Sequence, residues 1–232
     1  MVKIKLPIVV LISGNGSNLQ AIINAIQHHG LAVEIRAVIS NRKDAYGLER
    51  AQKHRIPTEI LPHNEFSDRS SFEWTLQKTI DKYCPKLILL AGFIRKLSGN
   101  FVRRYAGRIL NVHPSLLPQY PGLNTHSRVL STSNQEHGVS IHYVTEFTDG
   151  GPIICQAKLF VLSSDTPESL CTRVHFLEHI AYPQVLSWIT NNRLTLLGNS
   201  VLLDQEILPK TGKQIKITEL EKFQKGKIIV DL

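Results

Sequence analysis

Cysteine is scarce in this chain: three residues in 232, at Cys84, Cys155 and Cys171, odd in number and with no CxxC pair. That excludes a disulfide scaffold and a thiolate zinc knuckle, and leaves structural thiols in a reducing compartment. Long hydrophobic runs are missing too. The longest, Ile8 to Ile12 and Leu87 to Ala91, fall far short of the roughly 20 apolar residues that cross a bilayer. The amino terminus, Met1 to Pro7, has no basic region followed by an apolar core and a cleavage site. The expectation is a cytoplasmic protein with no membrane partner. Several catalytic signatures are absent as well. There is no G-x-S-x-G elbow, no HExxH helix and no P-loop lysine, which argues against serine-hydrolase, zincin and Walker-type chemistry. His113, His126, His137 and His142 match no standard zinc spacing, so no metal is expected. The formal charge is +8, from 27 Lys and Arg against 19 Asp and Glu. The clearest basic run, Lys210 to Lys227, is interleaved with Glu219 and Glu221 and reads as a solvated face. With no C2H2 spacing or RNP-like motif, no nucleic-acid partner is expected. A diffuse positive field does favour encounter with small anionic substrates.

What is present is a rhythm of short apolar runs and amphipathic stretches, with 42% hydrophobic and 20% charged residues overall. Strands are expected at Ile8–Ile12, Ile35–Ile39, Thr58–Leu61, Leu87–Ala91 and Gly107–Val112. Helices follow at Leu19–His28, Ala45–His54 and Ser70–Tyr83. Such alternation implies right-handed crossovers and an α/β fold with a mostly parallel central sheet and helices on both faces. Beyond about Gly122 the pattern changes. Ser140–Val144 and Ile153–Val161 read as strands joined by a turn at Thr148–Pro152, giving an antiparallel edge toward the C-terminus. A helix over about 167–191 opens with Asp165 or Thr166 as its cap and Pro167 early, and Pro183 in its interior is expected to disturb it. Short strands and turns follow Arg193. Residues 1–195 form one domain on this reading, with 196–232 as a strand and turn extension of it.

Three places carry chemistry. Gly14-Asn15-Gly16-Ser17-Asn18 lies between the first strand and the first helix, where glycine turns the backbone and free helix N–H groups suit a phosphate. It is not a dinucleotide fingerprint, because Leu19 stands at the third glycine and Ser40-Asn41-Arg42 supplies no acidic ribose ligand. Leu90-Ala91-Gly92-Phe93-Ile94-Arg95 ends the fourth strand, the edge that hosts ligands in open α/β sheets. Gly92 admits close approach, and Phe93 and Ile94 offer walls for a flat heterocycle. Asn111 and His113 alternate on a strand and so share a face. Asp149 sits in a turn beside Gly150-Gly151. An amide, an imidazole and a carboxylate suit acyl transfer: a donor for a developing oxyanion, a proton carrier and its partner. His137 and His142 are weaker candidates, with structural roles the commoner reading.

Taken together, Gly14 to Gln20, Leu90 to Phe93, Asn111-Val112-His113-Pro114-Ser115-Leu116-Leu117-Pro118 and Asp149-Gly150-Gly151-Pro152 resemble the phosphoribosylglycinamide formyltransferases, folate-dependent enzymes of purine synthesis. The likeness spans about 8–190. It implies a Rossmann-like formyltransferase fold, with a nucleotide-binding half over about 1–105 and a folate-binding half over about 106–195. It implies that Gly16, Ser17 and Asn18 hold the phosphate of glycinamide ribonucleotide, Gly92 lies against the substrate and Glu178 binds its ribose. It places 10-formyltetrahydrofolate by Leu90, Ile94, Arg95, Leu97 and Val144, with Arg69 nearby. Asn111, His113 and Asp149 become the catalytic trio, acting without a metal in a monomer or homodimer. The chain departs from the family at Asn124, where a histidine is usual, and at His175 and Leu177, in place of glutamines. A methionyl-tRNA formyltransferase shares the trio but is expected to carry a further RNA-binding domain, and a formyl-folate hydrolase a regulatory one before the catalytic fold. A non-catalytic nucleotide-binding protein need not keep all three residues.

Overall fold

A computed structural model describes residues 4–215. The first strand, β1 (Leu6–Ile12), is apolar throughout because both its faces are covered. Ile8, Val10 and Ile12 enter one core, whereas Val9 and Leu11 enter a second on the opposite side of the sheet. Helix α1 (Ser17–His28), strand β2 (Val33–Ser40), helix α2 (Tyr46–Lys53) and strand β3 (Thr58–Ile60) complete the first two crossovers. Helix α3 (Arg69–Lys82) begins with a capping box between Asp68 and Ser71 and buries Phe72, Leu76 and Ile80. Strand β4 (Leu87–Leu90), helix α4 (Gly99–Arg104) and strand β5 (Ile109–His113) follow. β5 begins two residues later than expected, because Gly107 takes a left-handed turn at φ 72°.

The strands run β3-β2-β1-β4-β5 in parallel register. The order reverses between β1 and β4, and a crevice opens above their carboxyl ends, the place where open α/β sheets bind ligands. After the short helix α5 (Thr125–Leu130), strand β6 (Glu136–Tyr143) and strand β7 (Ile153–Phe160) add antiparallel to β5 and to each other. β6 starts four residues before the expected Ser140. Gly138 does not break it, since a Cβ there would lie 2.1 Å from the Ala157 carbonyl oxygen of the paired strand. The glycine permits the pairing.

Helix α6 (Pro167–Thr190) is capped by Thr166, which forms a capping box with Ser169. It runs through Pro183 without interruption. Its buried residues pack against α1, β6 and β7; that tertiary burial outweighs the one hydrogen bond a proline removes. Beyond it, β8 (Leu194–Leu197), β9 (Ser200–Leu203) and β10 (Glu206–Ile207) make a small antiparallel sheet. Strand β11 (Lys213–Ile215) returns to the main sheet and pairs parallel with β7. The part of the basic run from Lys216 to Lys227, with the rest of the extension to 232, lies outside the described residues. No helix among them is long and apolar enough to cross a membrane.

Candidate active site

The glycine turn after β1 is shaped by α2 as much as by its own sequence. Gly16 takes φ 72°, and a Cβ there would sit 2.6 Å from the Gly47 Cα. Gly47 donates its N–H to the Gly14 carbonyl at 3.0 Å. Arg50, one turn along α2, donates to the Asn15 carbonyl at 2.9 Å and to its side-chain oxygen at 3.0 Å. Gly47 and Arg50 are site-shaping residues that no local signal in the sequence announced. α1 has no side-chain cap and no acidic residue in its first turn, so its positive end faces the crevice without an internal anion. Asn18 donates its amide to Glu178 Oε2 at 2.6 Å, tying α1 to α6 beneath the turn. Burial raises the Glu178 pKa, and the Asn18 bond and nearby His175 oppose the rise.

At the end of β4 the backbone is fixed by Ser13. Its hydroxyl accepts from the Ile94 N–H at 2.8 Å and donates to Asn41 Oδ1 at 2.6 Å. Gly92, at φ 75°, has open space where a Cβ would point. Leu90, Ile94, Leu97 and Val144 supply an apolar wall of the crevice. Ile94, Leu123 and Phe147 are 68%, 70% and 79% exposed around it. The Arg95 guanidinium lies 4.8 Å over the Phe72 ring, and its Nε is buried without a partner among the described residues. Arg69 does not line the crevice. It pairs with Glu73 at 3.0 Å and donates to the Lys96 carbonyl at 2.8 Å, bracing the rim from behind.

The floor is built by β5 and β6. Asn111 is directly opposite His142 in the antiparallel register, and the Asn111 amide meets His142 Nε2 at 3.2 Å. His142 Nδ1 is 2.9 Å from the Tyr143 carbonyl, which only accepts, so Nδ1 carries the proton and Nε2 receives the Asn111 N–H. Burial lowers the His142 pKa and favours that neutral form. His113 Nε2 likewise faces the Tyr120 carbonyl at 2.9 Å. This leaves Nδ1 toward Asp149, 3.5 Å from Oδ2. Asp149 is held at φ 50°, accepts the Gly122 N–H at 2.8 Å and lies 3.7 Å from His142 Nε2. Gly151 makes the turn possible, since a Cβ there would lie 1.8 Å from the Tyr143 carbonyl oxygen. Asn111, His113 and Asp149 therefore converge with the glycine turn, Gly92 and Glu178 on one cleft of about 680 Å³. His142, which sequence reasoning ranked low, joins them. The signal was the register: once β5 and β6 pair antiparallel, the residue opposite Asn111 must share its face.

His137 lies behind this floor, 1% exposed, with Nε2 at 3.1 Å from His126 Nδ1. Burial, and then the His126 charge, push its pKa down to about 4 from 6.5. The folded protein thus keeps His137 neutral while the unfolded chain takes up a proton. Its contribution is complete above pH 6.5 and is lost progressively as pH falls toward about 4. Urea denaturation at a series of pH values should show stability declining through that window. The decline should be shallower in His137→Gln, and an identical slope in the variant would assign the acid sensitivity elsewhere.

The formyl transferase family matches residues 6–186. The chain belongs to that family, and by it to the transferases. It is 49% identical over 205 residues to phosphoribosylglycinamide formyltransferase of Escherichia coli, covering 88% of this chain and 97% of that one. The Haemophilus influenzae protein of the same name is 42% identical over the same shares. The solved structure of a phosphoribosylglycinamide formyltransferase from Coxiella burnetii superposes with a TM-score of 0.87 at 64% identity, covering 91% of this chain and all of that one. The α/β formyltransferase architecture expected from the sequence is the architecture found.

Proposed function

We propose that this chain transfers the formyl group of 10-formyltetrahydrofolate to the amino group of glycinamide ribonucleotide, in purine biosynthesis. One observation carries the assignment of groups: Asn111, His113 and Asp149 meet at the floor of a cleft that also reaches the uncapped N-terminus of α1. The phosphate is assigned to the N–H groups of Gly16 to Asn18, and the ribose hydroxyls to Glu178. The pterin is assigned to the apolar wall of Leu90, Ile94, Leu97 and Val144, with Arg95 on the outer, folate side and Arg69 bracing the rim behind it.

The substrate amine attacks the formyl carbon, and the carbonyl π electrons move onto oxygen. The Asn111 N–H that does not go to His142 points to that oxygen, and a proton on His113 Nδ1 supports it. Each such donor lowers the barrier by on the order of 3 kcal/mol. Asp149 stabilises the imidazolium. Through a water, it also takes the proton lost by the attacking nitrogen and delivers it to the departing folate nitrogen as the C–N bond breaks. No step requires a metal. All groups come from one chain, which suits a monomer or a homodimer of independent sites. The free thiols at Cys84, Cys155 and Cys171 suit a cytoplasmic location.

Formyl transfer from 10-formyltetrahydrofolate, offered glycinamide ribonucleotide, water alone or charged initiator tRNA, tests the reading. Formylglycinamide ribonucleotide is the expected product. Turnover only with water, or only with tRNA, would overturn it.

A further inference from the structure

His113 begins a row of directly paired residues that crosses three more strands. It lies opposite Ser140 of β6, Ser140 opposite Gln156 of β7, and Gln156 opposite Gln214 of β11. Directly opposed residues project from the same face of a sheet, so an imidazole, a hydroxyl and two amides form one polar row. Ser140 and Gln156 are 0% and 4% exposed, and polar groups in such places need partners. The backbone of the loop between His113 and Tyr120 supplies them. Ser140 Oγ donates to the Ser115 carbonyl at 2.7 Å and accepts from the Leu117 N–H at 3.0 Å. Gln156 Nε2 donates to the Leu117 carbonyl at 2.8 Å and to Ser140 Oγ at 3.0 Å. Gln214 Nε2 donates to Gln156 Oε1 at 3.4 Å, which decides which end of the Gln156 amide faces the loop. Within the loop, Ser115 Oγ donates to the Gln119 carbonyl at 2.6 Å. The next carbonyl, that of Tyr120, receives the His113 Nε2 proton.

We infer that Gln156, oriented by Gln214 of the C-terminal strand, is a positioning residue: it pins the loop so that the Tyr120 carbonyl locks His113 in its Nε2–H tautomer and leaves Nδ1 for Asp149 and the reacting atoms. The consequence for turnover rests on the formyl-transfer reading above, whereas the tautomer does not. The small strand at Lys213–Ile215 thereby acquires a task beyond covering the edge of β7. A carbonyl is the partner that makes this work. It accepts and never donates, so a correctly placed loop admits only one neutral form of the ring.

Gln156→Met keeps the volume and removes both donors. Its kcat should fall by about ten- to a hundredfold through misplacement of the reacting group, with KM for both substrates within about twofold. The ¹⁵N spectrum of the His113 ring, assigned by its loss in His113→Gln, should change from the Nε2–H form to a mixture, and the pH profile of kcat should shift with it. Gln214→Ala should move the same readouts by less. Ser115→Ala removes the link to the Gln119 carbonyl and the longer one, 3.3 Å, to the Tyr120 carbonyl itself, and serves if Gln156→Met does not fold. An unchanged tautomer signal and kcat in whichever folded variant is obtained would overturn the inference. So would a loss of stability and a raised KM with the tautomer intact, which marks a merely structural role. Failure of the unaltered protein to transfer formyl would sink the functional reading alone, since the ring spectrum still judges this one.

Discussion

Asp149→Asn should lower kcat by about a hundred- to ten-thousandfold while KM for glycinamide ribonucleotide changes little. The substitution is nearly isosteric, and its oxygen can still accept the Gly122 N–H that Asp149 Oδ2 receives at 2.8 Å. The turn should therefore persist. The negative charge beside His113 Nδ1, now 3.5 Å from Oδ2, is lost, and with it the group proposed to stabilise an imidazolium and relay the amine proton. The proposed phosphate site at Gly16, Ser17 and the end of α1 is untouched, so titration of the ribonucleotide into the variant should report near-normal affinity. Near-normal turnover would remove Asp149 from the mechanism. Loss of affinity and turnover together would mean that the turn had collapsed, which a thermal melt of the variant separates from a chemical defect.

Asn111→Ala should lower kcat by about a hundred- to a thousandfold, the usual cost of removing one oxyanion donor. Asn111→Asp should be more damaging still. His142 Nε2 accepts the Asn111 N–H at 3.2 Å because Nδ1 donates to the Tyr143 carbonyl. A carboxylate in place of the amide faces that lone pair without a proton to give. It also sets a second negative charge near Asp149 and near the oxygen that gains charge during attack. Steady-state kinetics of both variants against glycinamide ribonucleotide, with KM as the control for binding, decide the matter. Equal activity of the two variants would show that Asn111 shapes the pocket rather than donating to the reaction.

Much of this site was legible in one dimension because its parts sit at strand ends with local signatures. The turn at Gly14 to Asn18 follows an unbroken apolar strand, and Asn111 with His113 must share a face by the two-residue period of a strand. Asp149 stands beside glycines that only a tight turn requires. The place of His142 in the cleft was not legible, for a physical reason. It comes from lying opposite Asn111, and pairing register is a relation between two segments that neither announces alone. Gly47 was missed similarly. Its lack of a side chain matters because a Cβ there would lie 2.6 Å from Ile12 Cδ1 and 3.1 Å from the Gly16 Cα, a close approach between the first turn and α2.

By itself, then, the order of residues determined the alternation of strands and helices, the placing of the reactive groups at the ends of β1, β4 and β5, and the kind of chemistry they suit. Periodicity, turn chemistry and side-chain functional groups are local properties, and the chain carries them wherever it goes. Only the tertiary structure decided which nitrogen of each histidine faces the cleft, why β6 passes through Gly138, and how β11 comes to share one polar row with His113. Those outcomes depend on which carbonyl, amide or backbone lies across a sheet or under a loop. Such partners are brought together by burial of the two cores on either side of β1, not by their neighbours in sequence.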